Sequence, residues 1–266
     1  MKNNLNALRG KITPALIEKL SKPHAVKDNT GKIYIIPALW DKNRERCSFD
    51  NSKTGIASFN LLAGDMSAVY SGYFPRVLND ILPPVCGTCP GNCPGCYAKK
   101  ITRNIIPAIK LTLNTIECIL DPVRFISLVE NELFTGNPYT DPRIVRIHDS
   151  GEFFALEYFT AVIDMIKRHP GVTFGSYSKA ENIINTFGVD NIPDNFTLSC
   201  SPWAGHCNPI GDLPQFIYDN HTDPEIAALP HCPAVNKDGK RTGVKCIQCL
   251  HCYTANRGAR WAVYAH

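Results

Sequence analysis

Residues 143–200 read RIVRIHDSGEFFALEYFTAVIDMIKRHPGVTFGSYSKAENIINTFGVDNIPDNFTLSC, and this stretch decides the fold. Arg143 to His148 is a short run rich in β-branched residues, which predicts a strand. Helical spacing follows across Phe154–His169, where Leu156, Phe159, Val162, Ile163 and Ile166 recur three and four apart. Pro170 and Gly171 stop that helix. Val172–Ser178 predicts the next strand, Ala180–Phe187 a short helix, and Phe196–Cys200 a further strand. Strand, helix, strand, helix, strand at this spacing predicts an α/β fold, a parallel sheet with right-handed crossover helices.

Upstream, Lys32–Leu39 and Ile56–Leu62 predict strands, and Ala15–Leu20 a short helix. Asp41–Lys53 is charged and polar, a predicted loop. Asp121 and Pro122 mark a helix start, an aspartate cap followed by proline in the first turn. Downstream of Ser201 the chain turns proline-rich and is predicted to be irregular. Three parts are therefore expected: an N-terminal extension with a strand over 1–55, an α/β core over 56–205, and an irregular cysteine-rich segment over 206–266.

Composition narrows the class. Of the 266 residues, 44% are hydrophobic, enough for a substantial core, so a disordered chain is excluded. No apolar run reaches the roughly 20 residues of a membrane span. The opening MKNNLNALRGK lacks the apolar centre of a signal peptide, which predicts a cytoplasmic protein. Its thiols would stay reduced there. The net charge of +4 is modest; it permits nucleic-acid binding without arguing for it.

Eight of the twelve cysteines fall into two groups. Pro83–Lys100 (PPVCGTCPGNCPGCYAKK) places Cys86, Cys89, Cys93 and Cys96 within eleven residues broken by glycine and proline. Such a segment has little to bury, so its order is expected to come from a shared metal or iron–sulfur cluster. The second group joins Cys232, followed by Pro233, to Cys246, Cys249 and Cys252. A C-x2-C-x2-C run with one remote Cys-Pro favours a ferredoxin-type 4Fe–4S cluster. Zinc is the alternative, and His251 is placed to replace a ligand. Cys47 and Cys118 read as ordinary thiols.

Strand ends supply the remaining candidates, because parallel sheets bind ligands at the carboxyl ends of their strands. His148, Asp149, Ser150, Gly151 and Glu152 follow one strand, and Tyr177, Ser178 and Lys179 end the next. Lys179 suits an anionic ligand. Asp149 or Ser150 would otherwise cap the following helix and Glu152 complement its dipole. Cys200-Ser201-Pro202-Trp203 with His206 and Cys207 ends the third strand.

Two resemblances follow from these residues. Cys89, Cys93, Cys96 and Tyr97 in CPGNCPGCYAKK resemble the signature of radical S-adenosylmethionine (SAM) enzymes, where three cysteines leave one iron of a 4Fe–4S cluster open. The resemblance implies a partial barrel, SAM on the open iron, and a Gly-Gly-Glu-like segment, here Ser150-Gly151-Glu152, meeting the SAM amino group. It places Tyr97, His148, Ser150, Gly151, Glu152 and Lys179 among the cofactor-binding residues. Cys86 leaves the ligand set open: as a fourth ligand it closes the cluster, and with Cys93 and Cys96 it would leave Cys89 free. A closed cluster would serve electron transfer or sensing, with an electron donor as partner. A zinc-stabilised nucleic-acid-binding module is the third class that these cysteines permit.

Taken together, Cys86–Lys100, Arg146–Phe153, Tyr158, Pro170, Tyr177–Lys179 and the C-terminal cysteine run resemble the phage gene product eighty-eight family, over roughly residues 56–253. That family often has a Gly-Asn-x-Lys-like turn before the first cysteines, where this chain has Gly64-Asp65-Met66-Ser67. The resemblance implies an iron–sulfur protein on a parallel α/β scaffold and supplies no substrate.

Overall fold

The computed structural model describes residues 9–10, 12–27, 31–36, 38, 42–43, 50–51, 56–62, 105–136, 143–202, 208–219 and 221–264. Cys86, Cys89, Cys93, Cys96 and Tyr97 lie outside the described residues, as do Cys47, His206 and Cys207.

Helix α1 (Pro14–Leu20) is capped by Thr13, whose side chain accepts from Leu16 N at 3.3 Å. Strands β1 (His24–Lys27) and β2 (Ile33–Ile36) pair antiparallel as a separate hairpin. The strand expected over Lys32–Leu39 therefore exists in part and stands apart from the main sheet.

That sheet has seven strands in the order in which they occur in the chain. They are β3 (Asp50–Asn51), β4 (Ala57–Phe59), β5 (Ile144–Ile147), β6 (Thr173–Ser178), β7 (Phe196–Cys200), β8 (Gln215–Asp219) and β9 (Arg260–Tyr264). β4 to β9 are parallel, and β3 is an antiparallel edge. β8 and β9 correct the expectation that residues 206–266 are irregular: the sheet runs on past 205. β8 meets β7 at a single register pair, Cys200 with Gln215, so the last two strands are displaced toward the carboxyl end.

Among the described residues, four helices carry the connections up to β7: α2 (Ile105–Leu120), α3 (Pro122–Asn131), α4 (Leu156–Arg168) and α5 (Glu181–Phe187). Asp121 caps α3 by accepting from Arg124 N at 2.9 Å, with Pro122 in the first turn as the sequence predicts. α4 buries Tyr158, Phe159, Val162, Ile163 and Ile166, whereas Leu156 stays 40% exposed at its start.

Side chains alternate across a strand, so each strand feeds two faces. Val145, Ile147, Phe174, Phe196, Leu198 and Cys200 point to one face and form a single core with α2 to α5. The opposite face carries Arg146, Gly175, Tyr177 and Thr197. There the short helices α6 (Pro224–Ala227), α7 (Cys246–Cys249) and α8 (His251–Thr254) belong to the β8–β9 connection. α8 lies across β6 and β7: Thr197 Oγ1 donates to Tyr253 O at 2.8 Å. A Cβ at Gly175 would stand 2.5 Å from the Tyr253 ring, so only glycine permits this approach.

Candidate functional site

The loop after β5 is tied down from three directions. Asn60, just past β4, accepts through Oδ1 from Asp149 N at 2.5 Å and Ser150 N at 3.0 Å. Leu61 N donates to Ser150 O at 2.9 Å. Gly151 has φ +103, and a Cβ there would lie 2.7 Å from Leu61 Cβ, so both backbone angle and space require glycine.

Glu152 closes the loop against the end of β6. It is 4% exposed, and its Oε1 accepts from Ser178 Oγ at 2.7 Å and from Phe153 N at 2.8 Å. Oε2 accepts from Lys179 N at 2.7 Å. Burial raises its pKa, while the Lys179 charge and these donors pull it down. A carboxylate offers about four acceptor positions, and three are taken within the protein. Glu152 therefore clamps two strand ends together, and Lys179 contributes its main chain to that clamp.

His148 turns the other way. At φ 63, left-handed for a non-glycine residue, its ring sits among Phe59, Phe153 and Tyr158, and Nε2 is 2.7 Å from the Tyr158 hydroxyl. Burial lowers its pKa to about 3, so the imidazole is neutral. Its Nδ1 and the Ser150 hydroxyl are buried without a hydrogen-bond partner among the described residues.

The other face of the sheet holds the second cysteine group. Cys232, Cys246, Cys249 and Cys252 line one open cleft, together with Pro233, Ala234, His251 and Tyr253. Local geometry explains the convergence. α7 is a single turn from Cys246 to Cys249, Leu250 takes φ 55 to end it, and α8 restarts at once and carries Cys252. Cys232 is fixed to the sheet, its N–H donating to Ala262 O in β9 at 2.8 Å. Burial raises the Cys232 and Cys246 thiols and pushes Cys252 up to about 11. A bound metal would have to offset that burial, since only thiolates ligate. Among the described residues, no three His, Cys, Asp or Glu side chains are gathered tightly enough to hold a single ion directly.

Arg146, on β5, joins the strand-end loop to this cleft. Its guanidinium pairs with Asp149 at 2.7 Å and lies 5.2 Å from the Tyr177 ring centroid. Its charge favours the thiolate forms of Cys232, Cys246 and Cys252. Spacing arguments missed Arg146 and Asn60 as site residues, whereas Tyr177 stood among the strand-end candidates. Arg146 occupies an ordinary strand position, and the Asn60 side chain accepts from main-chain N–H groups, a contact that no motif announces.

These features define a parallel α/β protein with a four-cysteine cleft on one face of its sheet. The model of the gene product 88 family matches residues 50–255, and the chain belongs to that family. No curated protein and no solved structure matches the chain. Among the described residues, no helix is long and apolar enough to cross a membrane.

Proposed function

We propose that the chain is an iron–sulfur protein. Cys232, Cys246, Cys249 and Cys252 would hold a 4Fe–4S cluster against the sheet, and the cysteines at 86, 89, 93 and 96 a second one. The observation that carries this proposal is the convergence of four thiols, spread over residues 232–252, on one cleft. The donor set suits the group: thiolates bind iron–sulfur clusters, and a C-x2-C-x2-C run with a remote Cys-Pro is a cluster spacing. Bound there, the cluster supplies one-electron transfer. Arg146 would offset part of the added negative charge. With four protein ligands the site is closed, so its role is electron transfer or sensing.

A SAM-dependent radical activity at the first cysteine group is the second form. The buried hydroxyl of Ser150 favours it, a polar group at a strand mouth with no partner among the described residues. The strand order supports the partial barrel this form requires, since consecutive parallel neighbours and a displaced last pair suit a sheet that curls. The engaged carboxylate of Glu152 weighs against its use for the SAM amino group.

Replacing Cys249 and Cys252 with alanine tests the cluster assignment. The expected result is loss of about half the bound iron and of the matching visible absorbance, with the fold retained by circular dichroism. Unchanged iron in a folded variant would remove these cysteines from the ligand set. Zinc in place of iron would support the zinc-stabilised module instead.

A further inference from the structure

Charge is unevenly spread along this chain. Residues 231–260 carry Lys237, Lys240, Arg241, Lys245, Arg257 and Arg260 against one acid, Asp238, a net of +5 where the whole chain has +4. All six basic residues are exposed. Arg257 pairs with Asp212 at 2.9 Å, whereas no described acid pairs with Lys237, Lys240 or Arg241.

These charges border the cysteine cleft. Val235 and Arg241 pair antiparallel, Asn236 N donates to Lys240 O at 2.9 Å, and Thr242 N donates to Ala234 O at 3.1 Å. The resulting hairpin carries Lys237, Lys240 and Arg241, and its base, Pro233 and Ala234, lines the cleft. On the other side Lys245 precedes Cys246 directly. Val244 and Ile247, 40% and 37% exposed, add apolar area between the charges.

We propose that this rim is the docking surface of an acidic one-electron carrier protein that exchanges electrons with the centre held by Cys232, Cys246, Cys249 and Cys252. The inference rests on the iron–sulfur function proposed above. In the transfer one electron leaves the reduced carrier and enters the oxidised cluster, and no bond forms or breaks. Basic charge beside a half-buried redox centre raises the encounter rate with an acidic partner and orients it. Nucleic acid fits the rim less well: unspecific strand binding uses exposed aromatic platforms, and Tyr253 and Trp261 are only 6% and 1% exposed.

The test compares the full chain with a Lys237→Glu/Lys240→Glu/Arg241→Glu variant, whose changes fall on exposed side chains. Iron content and visible spectrum are measured first on both. Cluster reduction is then followed by stopped flow, once with a reduced plant-type ferredoxin as the acidic carrier and once with photoreduced deazaflavin. The expected result is a reduction by ferredoxin that slows about 10-fold or more in the variant and falls with added salt. Reduction by deazaflavin should be equal in the two proteins. Equal ferredoxin rates, or no transfer from ferredoxin where deazaflavin succeeds, would overturn the docking surface while the iron content still upheld the cluster. Salt-dependent binding of a labelled single-stranded oligonucleotide that the variant loses, without any ferredoxin effect, would reassign the rim to nucleic acid. Iron-free protein would remove the cluster, and the carrier with it.

Discussion

Glu152 carries a carboxylate that looks like a ligand in the sequence and acts as a clamp in the fold. Its oxygens accept from Ser178, Phe153 and Lys179, so glutamine would bring an amide NH2 against at least one N–H or O–H donor. Glu152→Gln is expected to destabilise by about 1–3 kcal/mol, the cost of leaving a buried donor unpaired. Urea denaturation measures it, and a metal content equal to the parent's is expected alongside. His148 makes a second prediction. Its folded pKa of about 3 lies below the ordinary 6.5, so the neutral ring's contribution is present above pH 6.5 and is lost as pH falls toward 3. Between pH 7 and pH 5 this should cost the parent on the order of 2 kcal/mol. His148→Asn, which tolerates the left-handed backbone, should remove that slope in paired urea titrations. Neither role was legible beforehand. A histidine and a glutamate at a strand end announce polarity, and only packing tells whether the polarity faces a ligand or the core.

The elements divide cleanly into those that the pattern exposes and those that it hides. β5, α4, β6, α5 and β7 stand where their apolar spacing puts them, because each shows one face to the core and a different one outward. α2 had no such signature. It is buried on nearly every side from Leu111 to Ile119, polar Thr112, Asn114, Thr115 and Glu117 included, so no polar stripe marks its period. β9 was hidden for another reason. Arg257–Trp261 reads as a basic tail, yet Trp261, Ala262 and Val263 are buried in the last strand. The packing of α8 on β6 is a testable element-level claim. Gly175→Ala would drive a methyl into the Tyr253 ring, with an expected cost of about 1–3 kcal/mol for overpacking. Because Cys252 rides on α8, the same variant should bind less metal at the C-terminal cysteines, and metal analysis after dialysis checks this.

At the scale of the whole molecule, among the described residues, helices pack on one face of a sequential, mainly parallel sheet and the cysteine-bearing connection packs against β6 and β7 on the other. The parallel class and the four C-terminal cysteines could be read from spacing alone, since both are local patterns. Their meeting place could not, because Cys232 is held by β9 and Cys252 by contacts with β6 and β7, all remote in sequence. The concentration of positive charge in residues 231–260 was open to simple arithmetic, but it acquires meaning only beside the cleft. The central claim is tested most directly by iron, sulfide and zinc content in anaerobically purified full-length protein. About eight irons with matching sulfide are predicted, two clusters of four. Zinc without iron, or no metal at all, would contradict the account.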